Sequence, residues 1–157
     1  MKLRSTVLAL AGLTLAASPA QAGTIGTTAH TGLGLGGGTF TSGVTVKHYL
    51  RDGLAVQGVA GIGYGATLGA DIIKEFEPLV DVPEGQLLWG VGGGAAFVNY
   101  GNAGILGIAG VIELGWHFED VPVELVLDWR PTFVSGSADI SGFAGVGGAG
   151  AVRYYFR

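Results

Sequence analysis

Cysteine is absent from the 157 residues, so no disulfide framework can hold the fold together, whatever the redox compartment. Charged residues make up only 13% of the chain, and lysine is confined to Lys2, Lys47 and Lys74, which leaves little to solubilise an ordinary surface. No run of 18 apolar residues occurs after residue 22, so a transmembrane helix is excluded from there on. Glycine is plentiful, at 31 residues, but it follows no G-X-Y period, which excludes a collagen-like chain. Basic residues are outnumbered, 8 against 12 acidic ones, which argues against nucleic acid as a partner.

What is present begins with a leader. Lys2 and Arg4 precede a mostly apolar run from Ser5 to Ala17, Pro19 breaks it, and Ala20-Gln21-Ala22 fits an A-x-A cleavage site. This is the layout of a secretory signal peptide over 1–22, and the apolar run falls well short of the roughly 20 residues a spanning helix needs. Sec-type export is therefore expected. It would leave one domain over 23–157, with 6 basic against 12 acidic residues and a net charge near −6.

After the leader the apolar residues alternate. In "PVELVLDWR" (122–130), Val123, Leu125, Leu127 and Trp129 share one parity, while Glu124, Asp128 and Arg130 share the other. In "LGIAGVIELGWHF" (106–118), Leu106, Ile108, Ile112, Leu114, Trp116 and Phe118 alternate with Gly107, Ala109, Val111, Glu113, Gly115 and His117. Period two means strands. Turn residues at Arg51-Asp52-Gly53, at Glu119–Pro122 and at 78–85 separate the runs. Eight strands are predicted near 27–36, 40–50, 54–64, 66–76, 86–97, 104–118, 122–133 and 144–156, with no helix after the leader. The fold class is all-β, a closed antiparallel eight-stranded up-and-down barrel.

Two polarities are open to such a barrel. A soluble, lipocalin-like carrier turns its large apolar face inward. A transmembrane barrel turns it out to lipid and keeps small or polar residues inside. Here one face is rich in Leu, Ile, Val and Trp. The other is Gly and Ala with scattered charges, which suits a narrow eight-stranded lumen. With both termini periplasmic, Tyr49, Phe76, Trp89, Trp116, Phe118, Tyr154, Tyr155 and Phe156 fall near one set of strand ends. Phe40, Tyr64, Phe97, Tyr100, Trp129, Phe133 and Phe143 fall near the other. Two aromatic girdles flanking an aliphatic band are the membrane-barrel expectation.

The chain ends "AGAVRYYFR". Val152, Tyr154 and Phe156 share the lipid-facing parity, and Arg153 and Tyr155 point to the lumen. This alternation resembles the C-terminal signature of bacterial outer-membrane β-barrel proteins, in which a near-terminal Phe is read by the barrel-assembly machinery; Arg157 after Phe156 departs from it by one residue. Together with "DVPVELVLDWRPTF" and "GVTVKHYLRDGLAVQG", essentially all of 24–157 resembles small eight-stranded barrels of the OmpA/OmpX type. The resemblance implies an outer-membrane location, contact with membrane lipid, the assembly machinery as a partner during biogenesis, and a monomer.

The polar residues with lumen parity are Lys47, Gln57, Glu75, Glu113, Glu124, Asp128, Arg130 and Arg153. All but Asp128 and Arg130 lie within a few residues of a periplasmic strand end. Charges in so narrow a space must pair, so a plug of ion pairs is expected, as OmpA-type barrels are known to have. A gate or small pore is the rival reading. Catalysis is not expected. The histidines are His30, His48 and His117; none has a serine two residues on, as the lipid A deacylase pattern requires, and Ser135, Ser137 and Ser141 lack a neighbouring His in sequence. The histidines have no metal-ligand spacing, and "GLGLGGG" (32–38) precedes no helix that could complete a phosphate loop, so neither metal nor cofactor is expected. Only 131–144 has room for a recognition loop. The sequence thus leads to a non-enzymatic outer-membrane barrel with a structural or weak binding role.

Overall fold

The computed structural model describes residues 25–27, 29–39, 41–63, 65–101, 103–136 and 141–156. The leader (1–22), Phe40, Tyr64, Ser137, Arg157 and the side chain of Tyr100 lie outside the described residues.

The strands are β1 (Thr31–Gly38), β2 (Thr41–Arg51), β3 (Leu54–Gly63), β4 (Ala66–Glu75), β5 (Val80–Val82), β6 (Gly85–Tyr100), β7 (Ala103–Phe118), β8 (Val123–Gly136) and β9 (Ser141–Phe156). Apart from β4 and β5, neighbours in the chain pair antiparallel, β4 pairs β6, and β1 pairs β9, so eight strands close into an up-and-down barrel. Closure leaves no open edge in the wall. β5 stands outside the ring. It pairs only with the start of β6, from Val80 opposite Leu87 to Val82 opposite Gly85, so the 78–85 connection carries a small hairpin rather than a plain turn.

Local chemistry explains the corners. Gly53 takes φ 64° in the Arg51–Leu54 hairpin, a left-handed conformation open to glycine at no steric cost. Pro122, which has no N–H to give, accepts from Tyr155 N through its carbonyl at 2.8 Å just before β8. The 131–144 stretch is mostly strand. β8 runs on to Gly136 and β9 begins at Ser141, because Phe133 pairs Phe143 and Ser135 pairs Ser141. Most of the stretch that had room for a recognition loop is therefore strand, and 137–140 lie outside the described residues.

A bulge in this pair changes parity. Thr132 pairs Gly145 while Phe133 pairs Phe143, and Gly145 has φ 104°. The extra residue turns Phe143 to the outer face although it shares odd numbering with the inward Arg153.

The predicted first strand begins late, at Thr31. Before it, Gly26 and Thr27 lie in a turn, with Gly26 N donating to Ala29 O at 3.0 Å and Tyr49 N donating to His30 O at 2.9 Å. Ile25 and Ala29 pack with Tyr49, Ala55 and Tyr155, closing that end of the barrel.

Polarity is inverted relative to a soluble globule. Leu35, Ile62, Leu68, Ile108 and Leu127 each expose between 63% and 75% of their surface on the outside, and Phe97, Trp129, Phe133, Phe143 and Phe156 are also exposed. Inside, Lys47, Glu113 and Glu124 are at most 1% exposed. Glycines on the inner face make room for this cargo. A Cβ at Gly32 would lie 2.7 Å from the Tyr155 ring, closer than packed atoms come. Gly32→Ala should therefore cost about 1–3 kcal/mol in urea unfolding. Gly148→Ala, whose Cβ would lie 3.6 Å from its nearest neighbour, should leave the unfolding midpoint near the parent's.

Candidate functional site

Strand alternation turns Thr45, Lys47 and Tyr49 of β2 inward, with Gln57 of β3, Asp71 and Glu75 of β4, Glu113 and His117 of β7, Glu124, Asp128 and Arg130 of β8, and Arg153 and Tyr155 of β9. Each contributing strand supplies only one to three of these, so the site exists only when the ring is closed.

They form two joined groups. In the first, the Lys47 ammonium donates to Glu75, to Glu113 Oε1 at 2.6 Å and to Glu124 Oε1 at 2.8 Å. Glu124 is a hub. Its Oε1 also meets His117 Nε2 at 3.1 Å, and its Oε2 accepts from Arg153 and from the Tyr155 hydroxyl, both at 2.9 Å. The Tyr49 hydroxyl lies 2.8 Å and 2.9 Å from the Glu75 oxygens, and its ring centroid is 5.4 Å from Lys47 Nζ. Burial strengthens such charge-assisted bonds and makes each of them costly to break.

In the second group Arg130 holds two carboxylates. Its Nη2 donates to Asp128 Oδ2 at 2.7 Å and to Asp71 Oδ2 at 2.9 Å, and its Nε donates to Asp128 Oδ2 at 3.2 Å. Gln57 joins the groups: its amide nitrogen donates to Asp71 at 3.2 Å and its amide oxygen accepts from Arg153 at 2.8 Å. Arg153 also reaches Thr45 Oγ1, at 3.2 and 3.3 Å.

Beyond this layer the lumen widens into a cavity of about 130 Å³. Its walls include Gly69, Ala96, Gly107, Thr132 and Ala149, and Asp71, Asp128 and Arg130 also line it. The barrel is thus a short cup standing on an ionic layer.

The structure brings all eight sequence-selected polar residues, Lys47, Gln57, Glu75, Glu113, Glu124, Asp128, Arg130 and Arg153, into this one network. Asp71, Thr45, His117 and the two tyrosine hydroxyls were missed. Asp71 shares inward parity with Glu75, and that alternation could have found it. Tyr49 is a correction. Expected in an aromatic girdle, it is 4% exposed and inside, since it shares parity with Lys47. Tyr155, grouped with the girdle by height but given lumen parity, is in the interior as that parity required, at 1% exposure. At the chain end Val152, Tyr154 and Phe156 lie on the outer face, with Tyr154 and Phe156 edge-on at 5.1 Å. His48 is on the outer face beside Thr31, Nδ1 to Oγ1 at 2.8 Å.

Glu75, His117 and Glu124 offer ligand atoms within 4.8 Å of one another, a spread that could suit a metal ion. Lys47 Nζ already bonds both carboxylates, so the cation of this centre is the lysine itself.

No protein-family model, curated protein or solved structure matches this chain.

Proposed function

We propose that the chain is a non-enzymatic integral barrel of the bacterial outer membrane with a structural or weak binding role, its lumen plugged by the ionic network. The observation that carries this reading is the inverted polarity: an aliphatic and aromatic outer wall around a charged interior. Water does not favour so continuous an apolar surface, and monomeric soluble proteins rarely expose apolar patches larger than a few hundred Å². In lipid the same wall is the stable choice, and a closed barrel leaves no backbone group of the wall unpaired in hydrocarbon. A leader over 1–22 supplies the route of export. The outward Val152, Tyr154 and Phe156 supply the feature the assembly machinery reads.

Membrane fractionation tests the location. The folded protein should be extracted only with detergent and should shift its gel mobility on boiling. Recovery wholly in the soluble periplasmic extract would instead favour a lipocalin-like carrier.

A further inference from the structure

The ionic network holds more acid than base. Among the described residues, five carboxylates face the interior, on Asp71, Glu75, Glu113, Glu124 and Asp128, against three strong bases, Lys47, Arg130 and Arg153. Counting the His117 imidazole, 3.1 Å from Glu124, as a fourth base still leaves one carboxylate in excess among the described residues.

Its place is marked by two atoms. Glu113 Oε2 and Asp128 Oδ1 are buried side-chain oxygens without a hydrogen-bond partner. Their residues are directly opposed on β7 and β8, on the inner face. Glu113 gives its other oxygen to Lys47, and Asp128 gives its other oxygen to Arg130, so each carboxylate is held by one cation and has one oxygen left. The two side chains are only 1% and 6% exposed, and neither free oxygen touches solvent. Two carboxylates in such a setting do not both ionise cheaply, since like charges repel and water is not there to screen them. A carboxylic acid beside a carboxylate resolves both defects, because it removes one charge and turns one orphaned acceptor into a donor.

We propose that Glu113 and Asp128 form a proton-binding site in which one proton is held between their two unpartnered carboxylate oxygens. The proton comes from water, and the pair then carries a single negative charge. The ionisable and charged groups around it are Lys47 and Tyr49 on β2, Asp71 and Glu75 on β4, His117 on β7, Glu124 and Arg130 on β8, and Arg153 and Tyr155 on β9. The neighbouring inward positions on β6 are Gly90 opposite Glu113 and Gly92 opposite Val111, which bring no charge. The site concerns the barrel interior and stands whatever surrounds the outer wall.

The sign of the pH dependence follows. The folded state holds a proton that the unfolded carboxylates have released, so stability falls as pH rises. Glu113→Gln replaces the proton with an amide donor toward Asp128 and keeps an acceptor for Lys47. Unfolding of the refolded barrel in detergent should show the parent's unfolding constant rising up to about tenfold per pH unit relative to Glu113→Gln as pH is raised above the ordinary carboxylate range. Parallel pH curves for the two proteins would overturn the proposal. Infrared spectroscopy of the parent at pH 7 gives a test that needs no variant. The carbonyl stretch of a protonated, deuterium-sensitive carboxyl group is expected, and its absence overturns the site. Asp128→Asn should abolish the same band. If sodium or calcium chloride stabilises the parent over choline chloride at equal ionic strength, with no such band, a metal cation occupies the place instead and the proton reading fails.

Discussion

Lys47→Ala should be the most damaging single substitution in the barrel. The change removes the one ammonium that Glu75, Glu113 and Glu124 share, and leaves three buried carboxylates crowded together. Arg153 still answers Glu124, but Glu75 is left with the Tyr49 hydroxyl, and Glu113 loses the ammonium that holds it. Breaking one buried pair typically costs about 3–5 kcal/mol, and here three contacts go at once. Since whole domains are stable by only about 5–15 kcal/mol, folded yield should collapse. Urea titration of the protein refolded in detergent or vesicles measures it. A loss smaller than about 1 kcal/mol would mean that the network is wet and weakly coupled. Lys47→Met, which keeps most of the volume without the charge, should behave like alanine, because the defect is electrostatic and not a cavity.

Ile112→Arg should separate the two environments the barrel could occupy. Ile112 lies midway along β7 on the outer face, is 44% exposed, and pairs with Val91 on one side and Trp129 on the other. In a bilayer an arginine near mid-depth costs about 2–4 kcal/mol. In water the same change is a surface substitution worth within about 0.5 kcal/mol, and it would improve solubility. Refolding into lipid vesicles with urea titration reads the difference. A neutral result would leave the membrane reading without support, because the outer wall would then not be in contact with hydrocarbon.

Much of this architecture was legible in the chain. Alternation at period two is imposed by the pleat, so once Leu125, Leu127 and Trp129 are assigned to one face, Glu124, Asp128 and Arg130 must lie on the other. Strand count followed from the turn residues, and the inward parity of Lys47, Glu113 and Arg153 came from the same rule. The misplaced residues fail for a local reason. Tyr49 was grouped by its distance from a strand end, although its parity with Lys47 pointed inward. Phe143 does lie outside as its place in the girdle required, but its odd number alone would have put it inside: the bulge beside Gly145 adds a residue, and a bulge has no period to read. β5 pairs only with the adjacent start of β6 and, at three residues, is too short to show a period, while Ile25 and Ala29 are held by Tyr49 and Tyr155 of distant strands, which no local pattern reports.

The order of residues along the chain dictates that it forms strands, that one face of each is apolar and the other small or charged, and that so few charges cannot solubilise an ordinary surface. These are properties of neighbours in the chain, and the pleat translates them directly. Which charges meet is settled by ring closure. Lys47 and Glu124 are 77 positions apart, and they touch because the stagger of eight strands around a closed ring brings β2 opposite β8 across the lumen. The same closure sets Glu113 against Asp128 with an oxygen to spare on each. Register accumulates strand by strand around the barrel, so pairing inside it belongs to the whole ring and to no single segment.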